Sequence, residues 1–230
     1  MTTTSGILLV DKAPDWTSHD VVSFIRGFGF KKVGHAGTLD PAATGLLIIL
    51  IGKQATRKSA LYSGQNKIYS GTIRLGTATH TQDAEGDVIE ECPWDHVNSE
   101  MVAEVAETFM GDQEQIPPMV SALKHKGKRL YQLAREGIEV ERPPRPISIS
   151  EFLISDISLP DFSIKVSCSK GTYVRTIAHD FGKKLDCCAH LKSLRREQSG
   201  QFNIEQAVDI DTIKSWDKNQ LLEHLIPIDE

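Results

Sequence analysis

The chain has 230 residues, 40% of them hydrophobic, and a formal net charge of −5. That balance fits a water-soluble globular protein, and no run of 18 apolar residues exists to form a transmembrane helix. Met1-Thr-Thr-Thr-Ser-Gly6 lacks a basic stretch followed by a long apolar one, so no signal peptide is expected and the expected compartment is the cytoplasm. Cys92, Cys168, Cys187 and Cys188 show no spacing typical of a disulfide framework and read as reduced, mostly buried thiols. Zinc sites usually pair their ligands as Cys-x-x-Cys or His-x-x-x-His, which this chain lacks, so no metal is expected.

The negative total hides a strong asymmetry. Between Leu75 and Leu123 there are 11 Asp or Glu and no Lys or Arg, which leaves the rest of the chain net positive. Basic residues gather at Lys31-Lys32, Lys53 to Lys58, Lys124 to Arg145 and Lys183 to Arg196. Patches of this kind, more than totals, decide whether a nucleic acid can bind.

In chain order, Gly6 to Asp11 reads as a short buried strand. Thr17-Ser18-His19-Asp20 then opens a helix whose Val21, Val22, Phe24, Ile25 and Phe28 form an apolar stripe. Residues 34–45 are rich in Gly, Thr and Pro and read as a loop; Leu46 to Ile51 is a continuous apolar strand, and Gln54 to Leu61 a helix. Lys67 to Leu75 alternates as a strand does. Asn98 to Phe109 is a helix capped by Asn98 or Ser99. After the basic stretch 120–146, strands are expected near 147–157 and 162–169. A helix follows over Tyr173 to Leu185, and a last one near 211–225. The order lacks regular strand–helix alternation, so the expected class is α+β with a mixed, mainly antiparallel sheet flanked by helices.

One segment carries chemistry. Gly34-His-Ala-Gly-Thr-Leu-Asp40-Pro-Ala-Ala-Thr-Gly-Leu-Leu47 sets a carboxylate among glycines, His35, Thr38 and Thr44, between two apolar stretches. Asp40-Pro41 alone is a turn or helix-cap signature. Within a glycine-rich loop it also allows a substrate to approach the backbone closely.

This segment resembles the catalytic loop of the TruB family of pseudouridine synthases, and the likeness continues in order along about residues 6–228. Asp11-Lys12 with Thr17-Ser18-His19-Asp20 resembles the family's N-terminal motif, and Lys67-Ile-Tyr69 its Lys-x-Tyr motif. Leu75-Gly76 with Thr79, Thr81, Asp83 and Gly86 resembles the next. Ile116 to Lys124 and Gly127 to Tyr131 resemble the mobile thumb, an insertion at about 117–146. Ser169 to Thr176 and His190-Leu-x-x-Leu194-Arg195-Arg196 complete the set.

The resemblance implies an isomerase that converts uridine 55 in the T-arm of tRNA to pseudouridine. The N1–C1′ bond breaks, the base turns in place, and C5 bonds to C1′; no atom is gained or lost, so no cofactor and no metal is required. It implies Asp40 as the catalytic carboxylate, attacking C1′ or deprotonating the sugar. Tyr69 would stack on the flipped base and is a candidate base for the C5 proton. Arg175 would orient the aspartate, with Asp83 as its ion-pair partner. Among substrate-binding residues it implies Lys12, with His35 filling the space the uridine leaves. Tyr173 and Leu194 would pack the base pocket, and Lys124, Lys126, Lys128 and Arg129 of the thumb would meet phosphates. The expected partner is the tRNA T-arm stem-loop, with the protein a monomer that needs no protein partner. Three features depart from the family pattern. Ala13-Pro14-Asp15 follows Lys12 where the family has Pro and then Gly, and His80 sits where an aspartate is frequent. Leu225 to Glu230 matches the end of the catalytic domain, so the expectation is one domain over 1–230 without the PUA β-barrel that family members usually carry. Rival readings are a synthase acting on another RNA, a non-catalytic RNA-binding module, and a glycosidase-like hydrolase with paired carboxylates.

Overall fold

The structure, a computed structural model, describes residues 5–228. The apolar run at the start forms β1 (Gly6–Lys12). Helix α1 (Ser18–Arg26) begins with a capping box, in which the Thr17 hydroxyl accepts from the Asp20 amide and the Asp20 carboxylate accepts from the Thr17 amide. There follow β2 (Val33–Ala36), β3 (Thr44–Ile51), α2 (Gly52–Arg57), α3 (Ser59–Ser63) and β4 (Lys67–Leu75). A hairpin of β5 (Thr77–Thr79) and β6 (Val88–Glu91) leads to α4 (Ser99–Glu107), capped by Asn98, and β7 (Gly111–Gln115). Next come β8 (Lys124–His125), β9 (Lys128–Arg129), α5 (Leu130–Arg135), β10 (Arg145–Ser158), β11 (Asp161–Cys168) and α6 (Val174–Lys184). The chain then runs through β12 (Ala189–Ser199), β13 (Phe202–Asn203), a 3-10 turn (Ile204–Gln206), β14 (Val208–Asp209), α7 (Ile210–Lys214) and α8 (Lys218–Glu223).

The described residues fall into two compact units. The first comprises residues 5–69 together with 194–228; the second is Ser70–Ser193. In the first, β3 is hydrogen-bonded on both sides: antiparallel to β1 from Gly6↔Ile51 to Lys12↔Gly45, and parallel to β12 at Arg195↔Thr44 and Arg196↔Gly45. Strand β2 also pairs antiparallel with β3, and β14 pairs parallel with β1. Every residue of β3 from Gly45 to Ile51 is buried, as expected of a strand covered on both faces. Ile7 and Leu9 of β1, with Leu46, Ile48 and Leu50 of β3, share one face and pack with Ala36, Ala55, Tyr62 and Phe202.

In the second unit β11 lies between β4 and β10, and β7 pairs antiparallel with β10. Its core centres on Phe181 of α6, whose ring stacks on Phe109 at 5.6 Å and lies 5.1 Å from Phe162 and 6.0 Å from Phe152. Rings this large dominate apolar burial. The fold class is α+β with a mixed, mainly antiparallel sheet flanked by helices, as the element order implies.

Several local expectations need correcting. The loop at 34–45 is shorter, because residues 33–36 pair with β3 as β2. The helix expected over 54–61 is two short ones meeting at Lys58, whose ψ of 9° lies outside helical geometry. The last helix is likewise two, since the Asp217 side chain accepts from the Asn219 and Gln220 amides and starts a new one. The cysteines are not all thiols: Cys92 and Cys188 are disulfide-bonded across 96 residues of sequence, while Cys168 and Cys187 are free and buried. A pairing between two distant strand ends leaves no trace in local spacing.

Candidate active site

The residues around Asp40 form a loop whose shape is fixed through its backbone. The loop leaves β2 at Gly37 and enters β3 at Gly45, with φ of 88° and 97°. Both values lie in the left-handed region that glycine enters without cost. At Gly45 a side chain is also excluded by space, because a Cβ would lie 2.4 Å from the Arg196 carbonyl oxygen and 2.7 Å from its nitrogen.

Between these hinges, three buried side chains hold the main chain. The Ser18 hydroxyl accepts from the Leu39 amide at 2.9 Å and donates to the Leu39 carbonyl at 3.1 Å. Lys12 Nζ donates to the Pro41 carbonyl at 2.8 Å, as well as to those of Trp16 and Ala13. Arg196 donates from Nη2 to Gly37 O at 3.1 Å and from Nε to Leu46 O at 2.7 Å. The Ala43 amide closes a turn onto Asp40 O at 3.1 Å. Leu39 is buried and turned into the protein, while Asp40 is only partly so. The result is a carboxylate on a short turn whose neighbours on either side are anchored.

His35 stands at the end of β2 beside this loop. Its Nδ1 is buried with no hydrogen-bond partner. Burial pushes its pKa below 6.5, and the positive charges of Arg196 and His19 add to that, so the ring is neutral around pH 7. Tyr69, on the first half of β4, is 8% exposed, and Leu194 of β12 is partly buried.

Lys12 is corrected by its surroundings. Expected among the substrate-binding residues, it is fully buried and its ammonium lies among three backbone carbonyls. Through the Pro41 carbonyl it anchors the loop from the β1 side.

In the second unit Arg175 is 4% exposed. It pairs with Asp83 at 3.5 Å (Nε to Oδ2), and donates to Thr81 O at 2.8 Å and Val120 O at 3.0 Å. Asp83 in turn accepts from the Thr81 hydroxyl and the Glu85 amide. The backbone of Tyr173, just ahead of α6, is gripped by Gln115: the Tyr173 amide donates to Oε1 at 2.8 Å, and Nε2 donates to the Tyr173 carbonyl at 3.1 Å. The thumb cations Lys124, Lys126, Lys128 and Arg129 are all exposed. Lys128 pairs with Glu136 at 3.3 Å, and Arg129 Nη1 donates to the Ala122 carbonyl at 2.6 Å.

Sequence reasoning did not assign Ser18, Gln115 or Arg196 any role. Each acts through main-chain groups distant in sequence, which no motif spacing encodes. Ser18 and Arg196 lay within motifs already singled out, but burial along β12 does not alternate, so nothing local marked Arg196 as buried.

A loop of this build, with one carboxylate and no second acid beside it in the motif, agrees with what the chain resembles as a whole. A family model described as TruB family pseudouridylate synthase (N terminal domain) matches residues 26–174, and one described as tRNA pseudouridylate synthase B C-terminal domain matches 175–230. These define the class: a pseudouridine synthase, an isomerase. Relatives named tRNA pseudouridine synthase B include that of Opitutus terrae, 47% identical over 97% of this chain and 92% of its own length. That of Syntrophotalea carbinolica is 46% identical over 98% of this chain and 74% of its own. The chain belongs to the TruB family. Among solved structures, one described as a Cbf5-Nop10-Gar1 complex has a TM-score of 0.74 at 27% identity, covering 96% of this chain and 60% of that one. An archaeal box H/ACA sRNP Nop10-Cbf5 complex has a TM-score of 0.67 at 26% identity, covering 95% and 57%.

Proposed function

We propose that this protein isomerises uridine 55 in the T-arm of tRNA to pseudouridine, with Asp40 as the catalytic carboxylate acting on a flipped-out base. The observation that carries this is the backbone-anchored turn at Asp40, in a chain whose relatives at 42–48% identity are named tRNA pseudouridine synthase B. Isomerisation asks for one carboxylate held still while a base detaches and returns to the same sugar carbon. Anchoring the turn at Gly37, Leu39, Pro41 and Leu46 supplies that stillness.

In this reading Asp40 either attacks C1′, displacing N1, and is itself displaced when the turned base bonds through C5, or removes a sugar proton as the N1–C1′ bond breaks and returns it when C5 bonds to C1′. The proton on C5 then leaves, and Tyr69 is the residue we assign to stacking on the base and taking that proton. Arg175 serves to keep the carboxylate ionised, and neutral His35 fills the space left by the extruded uridine. Tyr173 and Leu194 are the residues we assign to packing against the base. The thumb cations Lys124, Lys126, Lys128 and Arg129, all exposed, meet phosphates, with Lys124 and Lys126 foremost because Lys128 pairs with Glu136 and Arg129 with the Ala122 carbonyl. Action in the cytoplasm as a monomer, with tRNA the partner and no cofactor, belongs to the same proposal.

The test is tritium release from a T-arm hairpin carrying uridine labelled at C5. The wild type should release label from position 55 and none when cytidine replaces that uridine. Asp40→Asn should fall below about a hundredth of wild-type activity while hairpin binding stays within about tenfold. Tyr69→Phe, which keeps the ring, should lose at least about a hundredfold in product formation with binding intact. No release by the wild type would reject the activity. Easily measured turnover by Asp40→Asn would reject Asp40 as the catalytic group.

A further inference from the structure

Strand β12 carries two successive arginines, and neighbouring residues of a strand face opposite ways. Arg195 is partly exposed and forms a two-pronged pair with Asp11, at 3.0 Å (Nη1 to Oδ1) and 2.7 Å (Nη2 to Oδ2). Arg196 is 1% exposed and no carboxylate pairs with it among the described residues. Burying a guanidinium without a counter-ion is costly, and a neutral side chain of the same bulk would usually serve stability as well or better. What Arg196 has in place of a counter-ion is a pair of main-chain carbonyls, on Gly37 and Leu46. Those two residues flank the turn that presents Asp40, one on each side, so a single planar fork ties together both ends of the loop.

We propose that Arg196 is a positioning residue for the reaction: its guanidinium fixes the separation of Gly37 and Leu46 and thereby the place of the Asp40 carboxylate. This rests on the function proposed above and names the device that sets its geometry. Three observations point the same way. The parallel register sets Arg196 opposite Gly45, where the absence of a side chain lets the two backbones close to a distance no Cβ would allow. The fork shape matters, because Nε and Nη2 reach two acceptors on one rigid plane, which a lysine ammonium on a flexible stem does not reproduce. Finally, Arg196 Nη1 is buried and makes no hydrogen bond, as is Nδ1 of His35 next to the same loop. A side chain selected only for packing would not leave a donor stranded there.

The test compares Arg196→Met, which keeps bulk and removes the fork, with Arg196→Lys, which keeps charge. Tritium release from the hairpin should show kcat lowered at least about tenfold in both with KM within about threefold, the pattern of lost transition-state geometry rather than lost binding. Hydrogen exchange gives a reading independent of activity. Amides of residues 38–43 should exchange at least about tenfold faster in Arg196→Met, while those of β10 and β11 change less than about twofold. Uniformly faster exchange throughout the chain, or wild-type kcat in Arg196→Met, would overturn the proposal. Should Arg196→Met not fold, the same two measurements on Arg196→Lys decide: unchanged loop exchange and unchanged kcat reject it. If the wild type itself releases no tritium, the activity reading fails, and the exchange pattern still judges Arg196.

Discussion

Replacing Gly45 by alanine is the sharpest probe of how the Asp40 loop is built. Two costs add. Alanine at φ 97° sits in the left-handed region, which costs an L-residue roughly 1–2 kcal/mol. The new Cβ would also lie 2.4 Å from Arg196 O and 2.7 Å from Arg196 N. Those are backbone atoms of a paired strand and cannot rotate aside, so β12 must move from β3, an overpacking cost of about 1–3 kcal/mol. The total is about 2–5 kcal/mol, and for a chain of this size each kcal/mol lowers the melting temperature by roughly 2–4 °C. Gly127→Ala is the control: φ is 89°, but nothing lies within 4 Å of its Cβ, so only the backbone cost of about 1–2 kcal/mol applies. Thermal unfolding followed by far-UV circular dichroism on both variants should therefore show a clearly larger loss for Gly45→Ala. Equal shifts in the two variants would refute the close approach of β12 to β3 on which the loop's geometry depends.

Two more expectations follow from charge. Lys124→Ala with Lys126→Ala should lower the log–log salt slope of hairpin binding by roughly 0.7–0.9 for each phosphate that is no longer neutralised. Neutralising Lys128 and Arg129 should cost less, since one already pairs with Glu136 and the other with a carbonyl; slopes unchanged from wild type would remove the thumb from the RNA interface. For His35, a pKa pushed below 6.5 in the folded state means the unfolded chain takes up the proton first, so the fold loses stability as pH falls below that value and is unaffected above it. His35→Gln, which cannot titrate, should gain on the wild type in melting temperature as pH drops from about 8 to about 5; a constant difference across that range would contradict the burial of this ring.

Where the sequence was informative, the signal was local. The apolar run of β3, the Thr17 and Asp20 pair that starts α1, and the alternation in β4 each depend on residues within a turn or a strand of one another. The motif at 34–47 likewise drew attention to Asp40 because glycine, proline and carboxylate chemistry lie side by side. What escaped detection was of another kind. Strand β12 holds three arginine or lysine residues and a buried serine and shows no period of two, even though Arg196 is among the most buried side chains of the described residues. The grip of Gln115 on Tyr173 spans 58 residues, and that of Arg196 on Gly37 spans 159. The Cys92–Cys188 bond spans 96. Pairings of that length depend on topology, which no local pattern carries. Lys12 is the instructive case between the two: its motif was legible, its role was not. A lysine beside a glycine-rich loop suggests a contact to phosphate, while the structure holds its ammonium among main-chain carbonyls.

Lys12 and Arg196 together explain why the loop can hold a carboxylate without being stiff in sequence. Both are buried cations, and both direct their charge at carbonyl oxygens of the loop and its borders. Main-chain acceptors exist at every position, so an anchor of this kind fixes the path of the backbone without dictating side chains. That leaves the exposed Thr38 outside these anchors, while Ala43 is buried and Gly37 and Gly45 are constrained by φ and, at Gly45, by space. It also brings two positive charges close to the turn that presents Asp40. The path of the loop backbone is in this way set by two side chains, one arriving from β1 and the other from β12, far apart in the sequence.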